Sequence, residues 1–158
     1  MDNTIWLGQK YMQTPTGGRK KLNKGWGQIN KLHSSATKPI SVLYVEDDKA
    51  SQMLVKQAFG SHSSWQLQLA STLSEGLDLL QQKPDVILLD INLPDGRGYE
   101  LLSHLKADTD LSHIPVIAVT SCAMRTQIEE GMSAGFFQYL VKPVDLNHLF
   151  HAIQSAVV

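Results

Sequence analysis

The chain has a single cysteine, Cys122, among its 158 residues. It can form no internal disulfide, and such low cysteine usage is typical of a reducing compartment. No run approaches the roughly 18 uncharged apolar residues that a membrane-spanning helix needs. The first residues, MDNTIWLGQKYMQT, lack a basic segment followed by a long apolar one, so we expect no secretory signal. These absences predict a cytoplasmic protein without a membrane partner.

Charge is distributed unevenly along the chain, although the net charge is only −1. Residues 1–38 hold seven Lys or Arg and one acidic residue, whereas the rest of the chain holds seven basic and 14 acidic residues. The first segment shows no sustained hydrophobic period, which predicts a basic and flexible extension. We therefore place one domain over residues 39–158.

Aromatic residues in the basic extension leave an interaction role open. Trp6, Tyr11 and Trp26 lie between its lysines and arginines. Basic residues with interleaved aromatics can bind single-stranded nucleic acid, but we favour a flexible or partner-dependent tail and do not expect a nucleic-acid partner.

From residue 40 onward, short apolar runs alternate with segments of helical periodicity. The predicted strands are ISVLYV (40–45), WQLQLA (65–70), DVILLD (85–90), IPVIAVTS (114–121) and FQYLVK (137–142). Three of them are continuous apolar runs, as expected when helices cover both faces of a parallel sheet.

Five helices are predicted between and after these strands. In the first, residues 49–59, we expect Met53, Leu54 and Ala58 to face inward. Thr72 and Glu75 have the spacing of a capping box that begins the second helix. The last four helices are indicated by the spacing of Leu73, Leu77 and Leu80, of Tyr99, Leu102 and Leu105, of Met124, Ile128 and Met132, and of Leu146, Leu149, Phe150 and Ile153, with Asp145 as N-cap of the last.

Alternating strands and helices predict an α/β fold: a doubly wound, five-stranded parallel sheet flanked by five helices, flavodoxin-like. Right-handed crossovers place the carboxyl ends of all five strands on one edge of the sheet, where ligand sites gather.

Polar side chains stand where four of the predicted strands end. They are Glu46, Asp47 and Asp48 after the first strand, Asp90 on the third, Thr120 on the fourth and Lys142 on the fifth. Converging carboxylates repel one another unless a cation lies among them, and oxygen ligands suit Mg²⁺. No His or Cys stands at these ends, which argues against zinc.

A cation between carboxylates, with an ammonium nearby, can stabilise a phosphoryl group during in-line transfer. An aspartate can itself be the nucleophile and become an aspartyl phosphate. Asp90 is suited to this chemistry because it ends a rigid strand, and the proline and glycines of NLPDGRG let the backbone turn beside it.

Four motifs over residues 40–157 resemble the receiver domain of response regulators in bacterial two-component signalling. They are VEDD (45–48), DINLPDGRG (90–98), VTS (119–121) and YLVKP (139–143). Each motif is weak alone, but their order and spacing together are specific. The stretch AMRTQIEEGMSAGFFQYLVKPVD (123–145) is especially similar to receivers of hybrid sensor kinases.

The resemblance implies a role for each strand-end residue. Asp90 would be the phosphoacceptor, taking a phosphoryl group from a phosphohistidine of a histidine kinase or histidine phosphotransfer protein. The Mg²⁺ site would comprise Glu46, Asp47, Asp90 and Asn92, with Glu46 acting through water and Asn92 through its backbone carbonyl. Lys142 would contact the phosphate, and the Lys142–Pro143 bond would be cis.

The resemblance also implies a switch made of Thr120 and Tyr139. Phosphorylation adds roughly −1.5 to −2 charge and three acceptor oxygens, which can draw in Thr120 and Lys142. A pocket vacated near the fourth strand could then admit Tyr139. The expected output is a change of the surface formed by the fourth helix, fifth strand and fifth helix, read by an unknown output protein.

Three residues near the site tune or depart from the family pattern. Arg97 occupies a loop position that is often acidic in the family. Asn92 and Cys122 lie two residues after Asp90 and Thr120, where they either border the path of attacking water or merely fill the loop.

Other functions fit the residues less well. A haloacid-dehalogenase-type Mg²⁺-dependent phosphatase, the closest enzyme alternative, wants a second acid where Asn92 stands. Gly-x-Gly-x-x-Gly after the first strand and a P-loop are both absent, which argues against nucleotide binding. We expect no DNA-binding domain after Val158, so a stand-alone regulator and a detached hybrid-kinase receiver remain the open contexts.

Overall fold

Five parallel strands form one central sheet in the computed structural model, which describes residues 38–62, 64–121 and 124–158. We number the strands β1 to β5: Ile40–Val45, Trp65–Ala70, Val86–Asp90, Val116–Thr120 and Gln138–Val141. Their order is β2-β1-β3-β4-β5, and every neighbouring pair is parallel. The chain moves from β1 to one side and then returns past it to β3, so the topological switch point lies between β1 and β3.

Five α-helices within these ranges connect and follow the strands, as the periodicity predicts, and a short 3-10 helix, Leu80–Gln82, extends the second. They are α1 Lys49–Phe59, α2 Leu73–Leu79, α3 Gly98–Ala107, α4 Arg125–Ala134 and α5 Leu146–Ala156. Thr72 caps α2 by accepting a hydrogen bond from the Glu75 backbone N–H at 3.1 Å, and Asp145 caps α5 by accepting one from the His148 N–H at 3.0 Å. The flavodoxin-like α/β fold is therefore confirmed.

The core is split by the sheet into two halves, because successive residues of a strand point to opposite faces. On one face, Leu43 and Val45 of β1 pack with buried residues of α2 and α3. On the other, Val42 and Tyr44 pack with Val55 of α1 and with buried residues of α5. With β1 and β3 covered on both sides, the polar residues at their carboxyl ends are held on a rigid support.

The expected inward face of α1 is wrong for Met53 and Leu54, whereas Ala58 is partly buried. Met53 is 71% exposed and Leu54 51% exposed, whereas Gln52, Val55 and Phe59 are buried. Residues 52, 55 and 59 follow the i, i+3, i+7 spacing of a buried helical stripe. The sequence did not indicate this buried face, because Gln52 is polar whereas Val55 and Phe59 are apolar.

The spacing of Met124, Ile128 and Met132 correctly indicates α4, but Met124, its N-cap, and Met132 are exposed, at 57% and 46%. The buried residue of this helix is Gly131.

The predicted extension lies outside the described residues except for Lys38, so its character and the boundary at residue 39 stay predictions. Within the described ranges, no helix is long and apolar enough to cross a bilayer.

Candidate phosphoacceptor site

Three carboxylates meet at the carboxyl edge of the sheet between β1 and β3. Glu46 and Asp47 directly follow β1, and Asp90 is the last residue of β3. One carboxylate oxygen from each lies within 4.8 Å of the others. Glu46 and Asp90 are buried whereas Asp47 is exposed, so the cluster has a closed base and an open rim.

Lys142 brings a positive charge into this cluster from the end of β5. Its Nζ lies 2.6 Å from Asp90 Oδ2 and 2.7 Å from Glu46 Oε2. Burial alone lowers the pKa of Lys142, but its hydrogen bonds to Asp90 and Glu46 outweigh that effect, so the pKa lies above its ordinary value. The side chain therefore remains an ammonium, and it offsets part of the repulsion between the two buried acids. The Lys142–Pro143 peptide bond is cis.

Glu46 is completely buried, and its carboxylate is hydrogen-bonded to Tyr44. The Tyr44 hydroxyl donates to Glu46 Oε2 at 2.7 Å. Burial, followed by this hydrogen bond and the charge of Glu46, raises the pKa of Tyr44. Glu46, directly after β1, continues the alternation of the strand and so lies on the same side as Tyr44. That alternation was the signal by which the sequence could have identified Tyr44 as part of the site.

Asp48 lies next to the three acids but serves α1 instead. Its Oδ2 accepts hydrogen bonds from the backbone N–H and the hydroxyl of Ser51, at 2.8 and 2.7 Å. These bonds to Ser51 lower the pKa of Asp48. Asp48 is thus the N-cap of α1, and its carboxylate is engaged there.

The loop after Asp90 folds back against that residue. The Asn92 backbone N–H donates to Asp90 Oδ1 at 2.9 Å, so both Asp90 oxygens have partners. Asn92–Leu93 and Gly96–Arg97 form a short antiparallel ladder, and Arg97 donates to Asn92 Oδ1 at 2.9 Å. A Cβ on Gly98 would lie 2.6 Å from the Asp90 carbonyl oxygen, so the close return of the loop requires glycine there.

Asp95 fastens the same loop to α2. Its carboxylate accepts hydrogen bonds from the backbone N–H groups of Leu73 and Ser74, at 2.7 and 3.0 Å. These bonds, that from Ser74 first, lower the pKa of Asp95.

Thr120 and Tyr139 lie on the adjacent strands β4 and β5. Thr120 ends β4 and is 2% exposed. The ring of Tyr139 packs edge-on against Phe136, its hydroxyl lies 2.9 Å from that of Tyr99, and a Cβ on Gly131 would overlap that hydroxyl. Burial, then the hydrogen bond with Tyr99, raises the pKa of Tyr139. A notch in α4 therefore accommodates the Tyr139 side chain.

Comparison with known proteins agrees with this geometry. A model described as the response regulator receiver domain matches residues 42–154. The polar-differentiation response regulator DivK of Brucella anthropi is 36% identical over 118 residues, which cover 74% of this chain and 95% of that protein. The chain belongs to the response regulator receiver domain family. Its members are phosphorylation-dependent signalling switches of two-component systems rather than enzymes in the ordinary sense.

Solved receivers share the fold. The Mn²⁺-bound form of response regulator Rcp1 is 30% identical, with a TM-score of 0.64 over 74% of this chain and 91% of that one. A CheY-like receiver from Methanospirillum hungatei is 29% identical, with a TM-score of 0.66 over 74% and 92% of the two chains.

The structure of this receiver brings together most of the residues that the sequence indicated. Glu46, Asp47, Asp90 and Lys142 form one cluster, and the Asn92 backbone contacts Asp90. Sequence reasoning missed the supporting residues Tyr44, Tyr99 and Gly131. Cys122 lies outside the described residues. No observation supports the phosphatase alternative.

Proposed function

We propose that Asp90 accepts a phosphoryl group from a phosphohistidine of a partner histidine kinase or histidine phosphotransfer protein, in a Mg²⁺-dependent reaction in the cytoplasm. The position of Lys142, bonded to both Asp90 and Glu46 beside the exposed Asp47, carries this proposal. Lys142 and the other acids surround Asp90 at the carboxyl edge of the sheet. The exposed Asp47 marks the side from which we expect a donor protein to approach.

The residues present fit a Mg²⁺ ion. Three carboxylates offer oxygen atoms within 4.8 Å of one another, which is the hard donor set that Mg²⁺ prefers. Asp47 and Asp90 would bind directly, Glu46 through water and Asn92 through its backbone carbonyl. The similar response regulator Rcp1 has been solved in a Mn²⁺-bound form, which supports the binding of a divalent ion by this chain. When bound, Mg²⁺ neutralises negative charge on the carboxylates and the transferring group.

The transfer is a displacement at phosphorus. A carboxylate oxygen of Asp90 forms the new P–O bond as the P–N bond of phosphohistidine breaks. The electron pair of that bond stays on the imidazole nitrogen, and the donor ring takes up one proton and leaves neutral. Lys142, already within hydrogen-bond distance of Asp90, can shift its contacts to the phosphoryl oxygens. Water then hydrolyses the acyl phosphate and returns the protein to its initial state. In this proposal Asn92 borders the path by which the attacking water approaches.

The switch in this proposal comprises Thr120 and Tyr139. New oxygen acceptors on Asp90 draw on the Thr120 hydroxyl and on Lys142. The aromatic ring of Tyr139 then changes its position relative to α4. The expected output surface is that of α4, β5 and α5, on which Phe137 and Val141 are exposed, at 43% and 39%.

Exposed apolar residues on α1 suggest where the donor docks. Met53 and Leu54 are more than half exposed, and Leu54 lines an apolar cavity with Pro143 and Val144 that opens beside Lys142. Because a donor must bring its histidine to Asp90, the donor surface covers Met53 and Leu54.

We expect no nucleic-acid partner. Gel shifts with nucleic acid, with and without residues 1–38, test this expectation.

Labelling with a small phosphodonor tests the proposal. The protein is incubated with Mg²⁺ and acetyl phosphate, with beryllofluoride as a parallel probe of the phosphorylated state. We expect the mass gain of one phosphoryl group, lost on removal of Mg²⁺ and in Asp90→Asn. The matched control Asp78→Asn, on an exposed position of α2, should label like wild type. Labelling that persists in Asp90→Asn would exclude Asp90 as the acceptor.

Transfer from a protein donor tests the docking surface. Leu54→Ser should slow transfer from a phosphorylated histidine phosphotransfer protein about tenfold, the effect of truncating an important interface residue, while labelling by acetyl phosphate stays unchanged. Equal transfer rates for wild type and Leu54→Ser would place the donor elsewhere.

A further inference from the structure

Gln52 is a buried polar residue that the proposed chemistry does not use. Apart from Tyr44, the polar or charged residues buried within the described chain are Glu46, Gln52, Asp90 and Thr120. Three of these lie in the site, whereas Gln52 lies on the inward face of α1, 6% exposed. Burying an amide is costly unless its hydrogen bonds are replaced, so its partners show what the residue does.

The Gln52 amide joins the carboxyl ends of two strands. Its Nε2 donates to the backbone carbonyl of Glu46, just after β1, and to that of Ala70, the last residue of β2, at 3.2 Å. The Glu46 backbone N–H donates to the same Ala70 carbonyl at 2.9 Å. Gln52 therefore continues the pairing of β1 and β2 past the point where the ladder ends.

Lys49 and Ser71 fix the orientation of this amide. The Lys49 ammonium lies 3.4 Å from Gln52 Oε1 and donates to the Ser71 hydroxyl at 2.8 Å. The Ser71 hydroxyl lies 3.2 Å from Gln52 Nε2. Because a cation sits at the oxygen end of the amide, its NH₂ group is directed at the carbonyls.

The hydrogen bond from Gln52 to the Glu46 carbonyl affects the backbone of the next residue, Asp47. The carbonyl carbon of Glu46 is bonded to the nitrogen of Asp47, so a bond to the Glu46 carbonyl sets the plane of that peptide group. Asp47 is exposed, and the orientation of this peptide group sets the direction in which its side chain leaves the backbone. On the next residue, Asp48 is fixed as the cap of α1. The backbone on either side of Asp47 is thus held by α1.

We propose that Gln52 is a positioning residue for the Mg²⁺ site, which fixes the Glu46–Asp47 peptide so that the Asp47 carboxylate faces Asp90. This inference rests on the proposed function, because it assumes that Asp47 binds the ion. Gln52 does not itself touch the ion or the phosphoryl group. Residues that orient metal ligands typically alter metal affinity about 10- to 100-fold when replaced.

Mg²⁺ affinity of the full chain, measured by isothermal titration calorimetry, tests this role. Gln52→Met keeps the length, burial and helix propensity of the side chain but removes the donor. We expect it to weaken Mg²⁺ binding about tenfold. Gln57→Met, the same change at an exposed position of α1, should stay within twofold of wild type. Raising Mg²⁺ should restore the acetyl phosphate labelling of Gln52→Met, which a general loss of structure would not allow.

Binding of Mg²⁺ by Gln52→Met within twofold of wild type would overturn the inference and leave the proposed function intact. Failure of the wild-type chain to bind Mg²⁺ would instead overturn the proposed function. If Gln52→Met does not fold, NMR of the wild type decides. The Gln52 side-chain amide should shift with the same Mg²⁺ dependence as the Asp47 backbone amide, and an unchanged Gln52 signal would refute the role.

Discussion

The hydroxyl oxygens of Tyr99 and Tyr139 lie 2.9 Å apart, although 40 residues separate them in the chain. Tyr99 lies in the first turn of α3 and Tyr139 lies on β5, so this hydrogen bond ties the proposed switch residue to an element that borders the Asp90 loop. Both rings pack edge-on against Phe136, at centroid distances of 5.4 and 5.3 Å. The position of Tyr139 is therefore set jointly by Tyr99 of α3, by α4 and by Phe136, two residues before β5.

Tyr99→Phe should loosen Tyr139 while leaving the ring packing in place. A buried hydrogen bond contributes about 1 kcal/mol net, so its loss should raise the population of other Tyr139 rotamers roughly fivefold. Removing this bond also lowers the raised pKa of Tyr139, because the bond favours the neutral hydroxyl. NMR contacts between the Tyr139 ring and α4 measure the first effect, and titration of the ring signals at alkaline pH measures the second. Unchanged contacts and titration would show that Tyr99 does not hold the ring.

Gly131→Ala should displace Tyr139 from α4, because the added Cβ would overlap its hydroxyl. In an ordinary helix position the same change stabilises by about 1 kcal/mol, since alanine is the better helix former. We therefore expect Gly131→Ala to destabilise the wild-type protein but to stabilise a Tyr139→Ala background. Urea unfolding of the two single variants and the double variant measures this coupling. If Gly131→Ala changes the stability in the same direction in both backgrounds, the Tyr139 side chain does not require glycine at residue 131.

Lys142→Met should destabilise the protein unless Mg²⁺ is present. The change leaves Glu46 and Asp90 buried without their cation, which costs about 3 kcal/mol, the low end for buried pairs, because the ammonium is 18% exposed. A bound Mg²⁺ supplies positive charge in its place, so it should raise the Tm of the variant more than that of wild type. Lys83→Met is the control, because its ion pair with Asp110 is 62% exposed on the lysine side and contributes little. An equal Mg²⁺ response in Lys142→Met and wild type would argue against a shared site.

Asp95→Asn should lower the Tm at neutral pH by a few degrees, because α2 loses a charged partner at its amino end. The pKa of Asp95 is lowered from its ordinary value of 3.8, so its stabilisation is present above that value. The stabilisation is lost as the pH falls through the lower folded-state pKa, and the two proteins should converge there. Thermal unfolding followed by circular dichroism from neutral to acidic pH measures this. Asp78→Asn, near the other end of α2, should show no such loss, and a pH-independent difference for Asp95→Asn would contradict the linkage.

Much of the site could be predicted because strand ends are a local property of the chain. Once β1 and β3 are recognised from their apolar runs, parallel winding requires that Glu46, Asp47 and Asp90 meet at one edge. Among the supporting residues, only Tyr44 could have been found from the local pattern, through the alternation along β1. Gln52, Tyr99 and Gly131 act through contacts with chain segments that the local pattern does not identify.

The amino-acid sequence by itself determined the strand and helix order, the parallel winding and the acids at the strand ends, since these follow from hydrophobic period and chain connectivity. Only the tertiary structure decided which face of α1 is buried, because a helix with Gln52, Met53 and Leu54 in succession offers two competing stripes. It also decided the pairing of Lys142 with Glu46, 96 residues away, and of Tyr99 with Tyr139. Such contacts depend on how helices and strands pack against one another, which no short stretch of residues encodes.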